Sequence, residues 1–319
     1  MALPTNTYTS YDNANSIKTD LRDVIYNITP FETPFRAKCG KGSAKATLHE
    51  WTTQSLRSSA DNKHLEGDDT VSEQRTAVTR LTNSTQIFKN SVSIPGSDIG
   101  IDKAGKNREM GYQMLLVARE QNLDVEKALF ANNARVNGNN STARELAGAP
   151  SWMTTNINFV SASSGANPTG DGSDARTDSG APTAFSQTKF DDVMQSIWEN
   201  GGRSDTCYLS AFQMNKALAF TGNNNQRANV VAGDERVVNS LSIYLTPWGQ
   251  VAFQPSRENR SRDVFILQDD MWEIAELRPA RNTPLSVTGD SERRQLIQEL
   301  TLVCKNEASS GMIADNTTS

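Results

Sequence analysis

The chain has 319 residues, of which 36% are apolar, and 32 basic against 37 acidic residues give a net charge of −5. That is enough for one large or two small domains with a real core and no need of disulfide or metal, while a mean hydropathy of −0.57 assigns much of the polypeptide to surface, loop or extended arm. The acidic balance excludes a surface built throughout to hold phosphate backbones, and leaves room for a local inner face that touches nucleic acid.

Met1 to Asn15, rich in Thr, Asn, Ser and Tyr without periodicity, reads as an arm with no core of its own. A short helical pattern follows over Thr19 to Tyr26. Pro30 and Pro34 then enforce extended backbone around Phe31 and Phe35, a loop pinned to its own core on the plainest reading. Ala44 to Trp51 and Arg80 to Ile94 have strand composition. Between them, Arg57 to Thr76 holds only Leu65 and Val71 as large apolar side chains, so the expectation is a long protruding hairpin with an acidic tip.

Asn107 to Asn133 is the strongest helical signal, with Met110, Met114, Val117, Ala118, Val125, Ala128 and Leu129 near one face, a strut of roughly 40 Å at 1.5 Å per residue. Ser161 to Thr183 contains no Leu, Ile, Val, Met or Phe and reads as a mobile linker. A helix follows with Phe190, Val193, Met194, Ile197 and Trp198 on one face, Thr188 and Asp191 as a capping box and Gly201-Gly202 as a stop. Strands are expected at Thr206 to Leu209, Leu241 to Leu245, Val251 to Gln254, Val264 to Leu267 and Met271 to Leu277, with a helix near Phe212 to Phe220. Gln295 to Lys305 alternates as a half-buried strand, with Leu296, Leu300, Leu302 and Cys304 inward and Glu299, Thr301 and Lys305 outward. No repeat of fixed period is visible.

Motifs that carry chemistry are few. Gly100 to Asn107 has the G-x-x-x-x-G-K spacing of a phosphate loop, but Asn107 stands where a hydroxyl should hold magnesium and Asp102 would set a negative charge beside the phosphates. His49-Glu50 opens like a zinc-protease motif, yet Thr53 occupies the place of the second histidine. Glu66, Asp68 and Asp69, and likewise Asp171, Asp174 and Asp178, invite a calcium reading that neither fits, and are expected to be solvated loop charge. Cys39, Cys207 and Cys304 are odd in number and widely spaced, which reads as reduced thiols in a cytosolic setting. No basic start followed by an apolar segment opens the sequence, and the longest apolar run, Met114 to Ala118, is too short for a bilayer, so neither export by signal peptide nor a membrane span is expected.

The order of elements and several local strings resemble the major capsid proteins of tailed bacteriophages, which have the Johnson or Hong Kong ninety-seven fold. The strings are Met1 to Tyr8, Leu21 to Phe35, His49-Glu50-Trp51 with Glu66-Gly67-Asp68-Asp69, Asp102 to Lys106, Glu126 to Phe130, Ala147-Gly148 with Trp152 to Asn156, and Leu300 to Ile313. The resemblance implies an α+β chain divided into an N-terminal arm (1–40), an extended loop (41–95), a peripheral domain with a long spine helix (96–185), an axial domain (186–280) and a return to the peripheral domain (281–319). It implies self-assembly into an icosahedral head around double-stranded DNA, with no catalysis and no cofactor. Partners would be further copies in hexamers and pentamers, packaged DNA touched non-specifically on the inner face, a portal, and scaffolding or decoration proteins, but no membrane. The product would be a virion component assembled in the bacterial cytoplasm. Expected assembly contacts are Phe31, Phe35, Trp51, Asp61, Lys63, Glu66, Asp68, Asp69 and Glu73. Some members of the wider fold crosslink a loop lysine to an asparagine; Lys63 lies in the corresponding loop but no motif makes it reactive. The competing readings are another virion or cellular shell component and a nucleotide hydrolase using Lys106.

Overall fold

The structure is a computed structural model that describes residues 30–69, 72, 75–101, 103, 108–160, 165–220 and 243–318. The arm Met1 to Asn15, the expected helix over Thr19 to Tyr26, Val71, Glu73, Asp102, Lys106, Asn107 and the start of the strand expected from Leu241 lie outside those residues. Five helices, α1 (Pro34–Lys38), α2 (Gly96–Ile99), α3 (Glu109–Phe130), α4 (Gln187–Glu199) and α5 (Ala211–Ala217), combine with twelve strands among the described residues. The strands are β1 (Gly40–Ser43), β2 (Leu48–Thr53), β3 (Thr79–Ser84), β4 (Gln86–Pro95), β5 (Ile157–Asn158), β6 (Thr206–Leu209), β7 (Ile243–Thr246), β8 (Gly249–Pro255), β9 (Val264–Leu267), β10 (Trp272–Pro284), β11 (Ser291–Cys304) and β12 (Gly311–Ile313).

They form three sheets. A four-stranded sheet runs β1-β10-β11-β4, a six-stranded sheet runs β5-β12-β9-β6-β8-β7, and β2 pairs with β3 alone. The stretch read as one strand from Arg80 to Ile94 is therefore two. Buried Thr85 breaks it, its amide bonded to the Thr47 carbonyl, so β3 closes the hairpin while β4 pairs along β11 from Gln86 to Pro95.

One apolar cluster joins α3 to one face of the four-stranded sheet, with Val125, Leu129 and Phe130 against Phe88, Trp272, Ile274, Leu300 and Leu302. A second lies under α4, where Phe190, Val193, Met194 and Ile197 meet Leu209, Phe253, Val264 and Ile266. Alternation along the six-stranded sheet feeds both: Tyr208, Phe265, Leu267 and Met312 enter the first cluster, while Cys207, Leu209, Val264, Ile266 and Ile313 enter the second. That is why β9, an unbroken apolar run, is buried at every position.

Helix α3 is 22 residues, roughly 33 Å at 1.5 Å per residue. Its buried face includes Gln121 and Glu126 in place of the expected Met110 and Met114. The Gln121 amide donates to the Phe88 carbonyl at 3.0 Å. Glu126 accepts from the backbone N–H groups of Phe35 and Arg36 at 2.9 and 2.8 Å, and so satisfies the open N-terminus of α1. Pro34 thus begins a short helix, where its missing N–H costs nothing, and the expected extended backbone at this proline is corrected. Burial raises the Glu126 carboxyl above its ordinary value, against the lowering effect of those two amides.

Helix α4 is capped by the Ser186 hydroxyl, which accepts from the Lys189 amide, and not by the expected Thr188 with Asp191. It ends as expected at Gly201, in the left-handed region at φ 82°. Trp198, placed on the buried face by periodicity, is mostly exposed. Strand β11 also departs from half burial. From Gln298 to Cys304 both faces are covered, because β3 and Thr85 lie over the polar side.

Phe35 is completely buried between Phe130, Tyr208 and Trp272, with ring centroids 4.9, 5.4 and 6.1 Å away. Phe35→Ala is expected to lower the stability of the unassembled subunit by about 3–5 kcal/mol, the cost of an emptied aromatic site. Phe31→Ala, at a 53% exposed ring, should change it by less than about 1 kcal/mol. Guanidinium denaturation of the two variants beside wild type measures both.

Candidate assembly surfaces

The β2–β3 hairpin is anchored at its base and open at its end. Strands β2 and β3 pair from Leu48↔Ser84 to Thr53↔Thr79. The Trp51 ring lies 5.3 Å from that of Trp152, and its Nε1–H donates to the Cys304 carbonyl at 2.8 Å. Asn83, fully buried, donates to the Leu302 carbonyl at 2.7 Å and accepts from the Ala147 amide at 3.0 Å. Arg135 donates to the Thr82 carbonyl at 2.8 Å. Beyond Thr53 these anchors stop. Every described residue from Gln54 to Val78 is exposed, Leu56 at 97% and Leu65 at 82%. A turn at Glu66-Gly67 and a bond from Gln54 to the Thr76 carbonyl at 2.7 Å help to shape it.

The expected contact residues divide accordingly. Asp61, Lys63, Glu66, Asp68 and Asp69 all project from this loop, Lys63 meeting Asp61 at 3.3 Å with both side chains in water. Glu73 lies outside the described residues. Phe35 is wholly buried in its own chain, so the expectation that its ring reaches a neighbour is corrected; Trp51 is partly buried against Trp152 and bonded to the Cys304 carbonyl. Phe31 remains half exposed and carries the Arg119 guanidinium 4.5 Å from its ring centroid.

Two buried ionic groups hold the body from which the loop springs, and neither has a sequence period. Glu299 accepts from Thr85 at 2.7 Å and from Arg278 at 2.8 Å, and pairs with Arg144. The other group occupies the segment expected to be a mobile linker. Arg176, with a fully buried side chain, pairs with Asp315 and with Asp178 at 3.1 Å. Arg262 reaches Asp315 at 3.0 Å, and Arg260 bridges Asp178 and Asp263. Asp178 is therefore only partly solvated, and its charge is met by three guanidiniums. Gly170 and Gly172, at φ 84° and 74°, bring this segment against Thr154 and Trp152, closer than any Cβ would allow. The segment 165–183 is ordered by charge pairing and close backbone approach where large apolar residues are lacking.

Burial pushes the Asp263 carboxyl up to about 6 despite the Arg260 and Arg176 charges. Burial also pulls on Asp315, but the Arg176 hydrogen bonds, the Ser179 amide and the Arg262 charge outweigh it and hold that carboxyl below its ordinary value.

The phosphate-loop spacing meets an acidic setting. Lys103 Nζ is held by Asp98 at 2.5 Å and Glu109 at 3.1 Å, which raises its pKa, largely through the Asp98 hydrogen bond, and commits its charge to carboxylates. Lys106 lies outside the described residues. Of the histidines, His64 meets Asn62 at 2.8 Å and His49 lies beside Trp51. The three cysteines are free and buried.

A family model described as the SU10 major capsid protein matches residues 3–317. The major capsid protein of Escherichia phage Phieco32 is 24% identical over 347 aligned positions that cover 98% of this chain and 97% of that protein. Among solved structures, a chain of the capsid asymmetric unit of cyanophage A-1(L) superposes with a TM-score of 0.67 at 13% identity, covering 98% of this chain and 100% of that one. The capsid of cyanophage P-SCSP1u gives 0.61 at 9% identity over 99% of this chain and 97% of that one. At these identities the structural likeness is one of fold, and it runs the length of the molecule.

Asp315→Ala, which removes the bidentate partner of the buried Arg176 guanidinium and leaves it only the single contact with Asp178 among the described carboxylates, is expected to destabilise the unassembled subunit by about 3 kcal/mol. Asp263 has the opposite linkage from an ordinary paired carboxylate. Its folded pKa stands above its unfolded value, so the folded state holds the extra proton, and its contribution to stability falls as pH rises from about 4 to about 6 and is level above that. The stability of wild type relative to Asp263→Asn should follow that course in denaturation curves taken from pH 4 to pH 8.

Proposed function

The chain belongs to the SU10 major capsid protein family and forms the capsid shell of a phage, and from that premise we propose that its β2–β3 loop is the element that ties one subunit to the next. The observation that carries this is the continuous exposure of Gln54 to Asp69, including Leu56 and Leu65, on a chain that otherwise fills two cores. A loop that buries nothing at home gains its stability by covering a neighbour, and the gain accumulates over the copies of a closed shell.

On this reading the four-stranded sheet with α3 is the peripheral domain and α3 its spine. The six-stranded sheet with α4 and α5 is the axial domain, and 48–84 is the extended loop. The axial portion ends before Trp272, where β10 enters the four-stranded sheet, and regains Gly311–Ile313 at the end of the chain. The shell is icosahedral, built of hexamers and pentamers in the host cytoplasm, with the portal replacing one vertex and packaged double-stranded DNA touching the inner face without sequence preference. Scaffolding or decoration proteins would be further partners. The subunit performs no catalysis; the commitment of Lys103 to Asp98 and Glu109 supports this against the nucleotide reading.

Replacing Ser58 to Glu73 with a short Gly/Ser turn should leave the circular-dichroism melt of the subunit within a few degrees of wild type, since the tip adds little to any core. Closed shells counted by electron microscopy should largely disappear. Normal shells in normal yield would show that the loop is not an assembly element. ATP with magnesium should show no affinity for the subunit that Lys106→Ala removes, as measured by calorimetry.

A further inference from the structure

The sequence contains two Asn-Gly pairs, Asn137-Gly138 and Asn200-Gly201. Such a pair is chemically labile, because glycine has no Cβ to shield its amide nitrogen, and that nitrogen can close a ring on the side-chain carbonyl carbon of the preceding asparagine. In a folded chain the outcome depends on what holds the reacting groups. The structure treats the two pairs oppositely.

Asn200 is the C-cap of α4. The Gly201 N–H donates to the Trp198 carbonyl at 3.0 Å, and the Asn200 amide nitrogen donates to Asn156 Oδ1 at 2.8 Å and to the Ser196 carbonyl at 2.9 Å. Nucleophile and leaving group are both tied, so ring closure there requires the helix end to open first.

Asn137 stands in the loop closed by the Val136–Glu145 bridge, with its side chain exposed. Neither the Gly138 N–H nor the Asn137 amide nitrogen has a hydrogen-bond partner among the described residues. Only the carbonyl oxygen is engaged. Buried Ser84, the last residue of β3, donates its hydroxyl to Asn137 Oδ1 at 2.7 Å. A donor at this position draws charge from the carbon under attack and stabilises the oxyanion that forms when a nitrogen adds to it. The glycine is fixed by geometry: it lies at φ 71°, and a Cβ would meet the Arg144 side chain and the Thr142 carbonyl.

We propose that Asn137-Gly138 is a self-modification site, at which the exposed asparagine amide is converted to a carboxylate through a cyclic imide. The Gly138 nitrogen gives its proton to solvent and bonds to Asn137 Cγ. The oxyanion, held by the Ser84 hydroxyl, collapses and expels the protonated side-chain nitrogen as ammonia. Water then opens the imide at one of two carbonyls: breaking the bond at Cγ gives aspartate, and breaking the bond at the backbone carbonyl gives isoaspartate, with the chain routed through the side chain. Water is the only co-reactant. The product sets a lasting negative charge beside Ser84 and next to Thr85, whose hydroxyl and carbonyl are met by Glu299 and Arg144, so the modification reaches the ionic group at the hairpin base.

The two pairs serve as each other's control. The full-length chain is aged at mildly alkaline pH, folded and in denaturant, and peptides spanning Asn137 and Asn200 are followed by mass spectrometry with isoaspartate separated by chromatography. In denaturant the two sites should convert at similar rates, whereas in the folded chain Asn137 should convert faster than Asn200 by roughly tenfold or more. Ser84→Ala, with native circular dichroism, should slow conversion at Asn137 by roughly fivefold in the folded chain, the weight of one hydrogen bond made to the transition state, and leave it unchanged in denaturant. Asn137→Gln, one methylene longer, should remove the isoaspartate at this position and leave Asn200 as it was. If the folded chain forms no aspartate or isoaspartate at position 137, or forms it no faster than at position 200, the proposal is overturned. An unchanged or higher rate in Ser84→Ala would show that the hydroxyl restrains the amide and would overturn the chemistry assigned to it.

Discussion

The structure depends on how a limited supply of apolar side chains is spent. With 36% apolar residues in 319, the chain fills one core between α3 and the four-stranded sheet and another under α4, and shares the six-stranded sheet between them. Sharing is economical, because β6, β9 and β12 bury both faces and so serve two cores with one set of residues. The elements left over are held by other means or are not held at all. The segment 165–183 and the loop 256–263 are fixed through Arg176, Asp178, Arg260, Arg262, Asp263 and Asp315, whereas the described residues from Gln54 to Val78 are all exposed.

Buried ion pairs of this kind add little net stability compared with apolar packing, but their directionality makes them selective. Asp315 sits in the left-handed region at φ 56° and accepts from two arginines and the Ser179 amide. That arrangement fixes where the end of the chain lies on the six-stranded sheet. Glu299 does the same for the hairpin base, since Thr85, Arg144 and Arg278 meet on one carboxylate. The outcome is a body ordered around the hairpin base, from which Gln54 to Asp69 projects exposed.

How much of this the sequence disclosed depends on which force orders each part. Strand β9 was legible to the residue at Val264–Leu267, and the buried stripe of α4 from Phe190 to Ile197, because apolar burial imposes a period. The hairpin and its acidic tip were legible from the lack of apolar residues over Arg57 to Thr76. Polar burial leaves no such trace. Gln121 and Glu126 looked like the solvent side of α3, Glu299 like the outer side of β11, and Ser161 to Thr183 like a linker, although Gln121, Glu126, Glu299 and Arg176 are each held by a partner more than 30 positions away in sequence. At Phe35 the two nearby prolines indicated a loop pinned to its own core, which the ring's burial bears out, but not that Pro34 starts a short helix whose first amides are accepted by Glu126.

The central claim is that Gln54 to Asp69, exposed on the subunit, is covered in the shell. Hydroxyl-radical footprinting of unassembled subunits beside purified shells tests it directly, reading Leu56 and Leu65 against Leu129 and Phe265, which are buried in the subunit itself. Leu56 and Leu65 should be heavily oxidised in the subunit and several-fold less so in the shell, while Leu129 and Phe265 stay unreactive in both. Equal oxidation of Leu56 and Leu65 in subunit and shell would show that the loop faces water after assembly and would contradict the account.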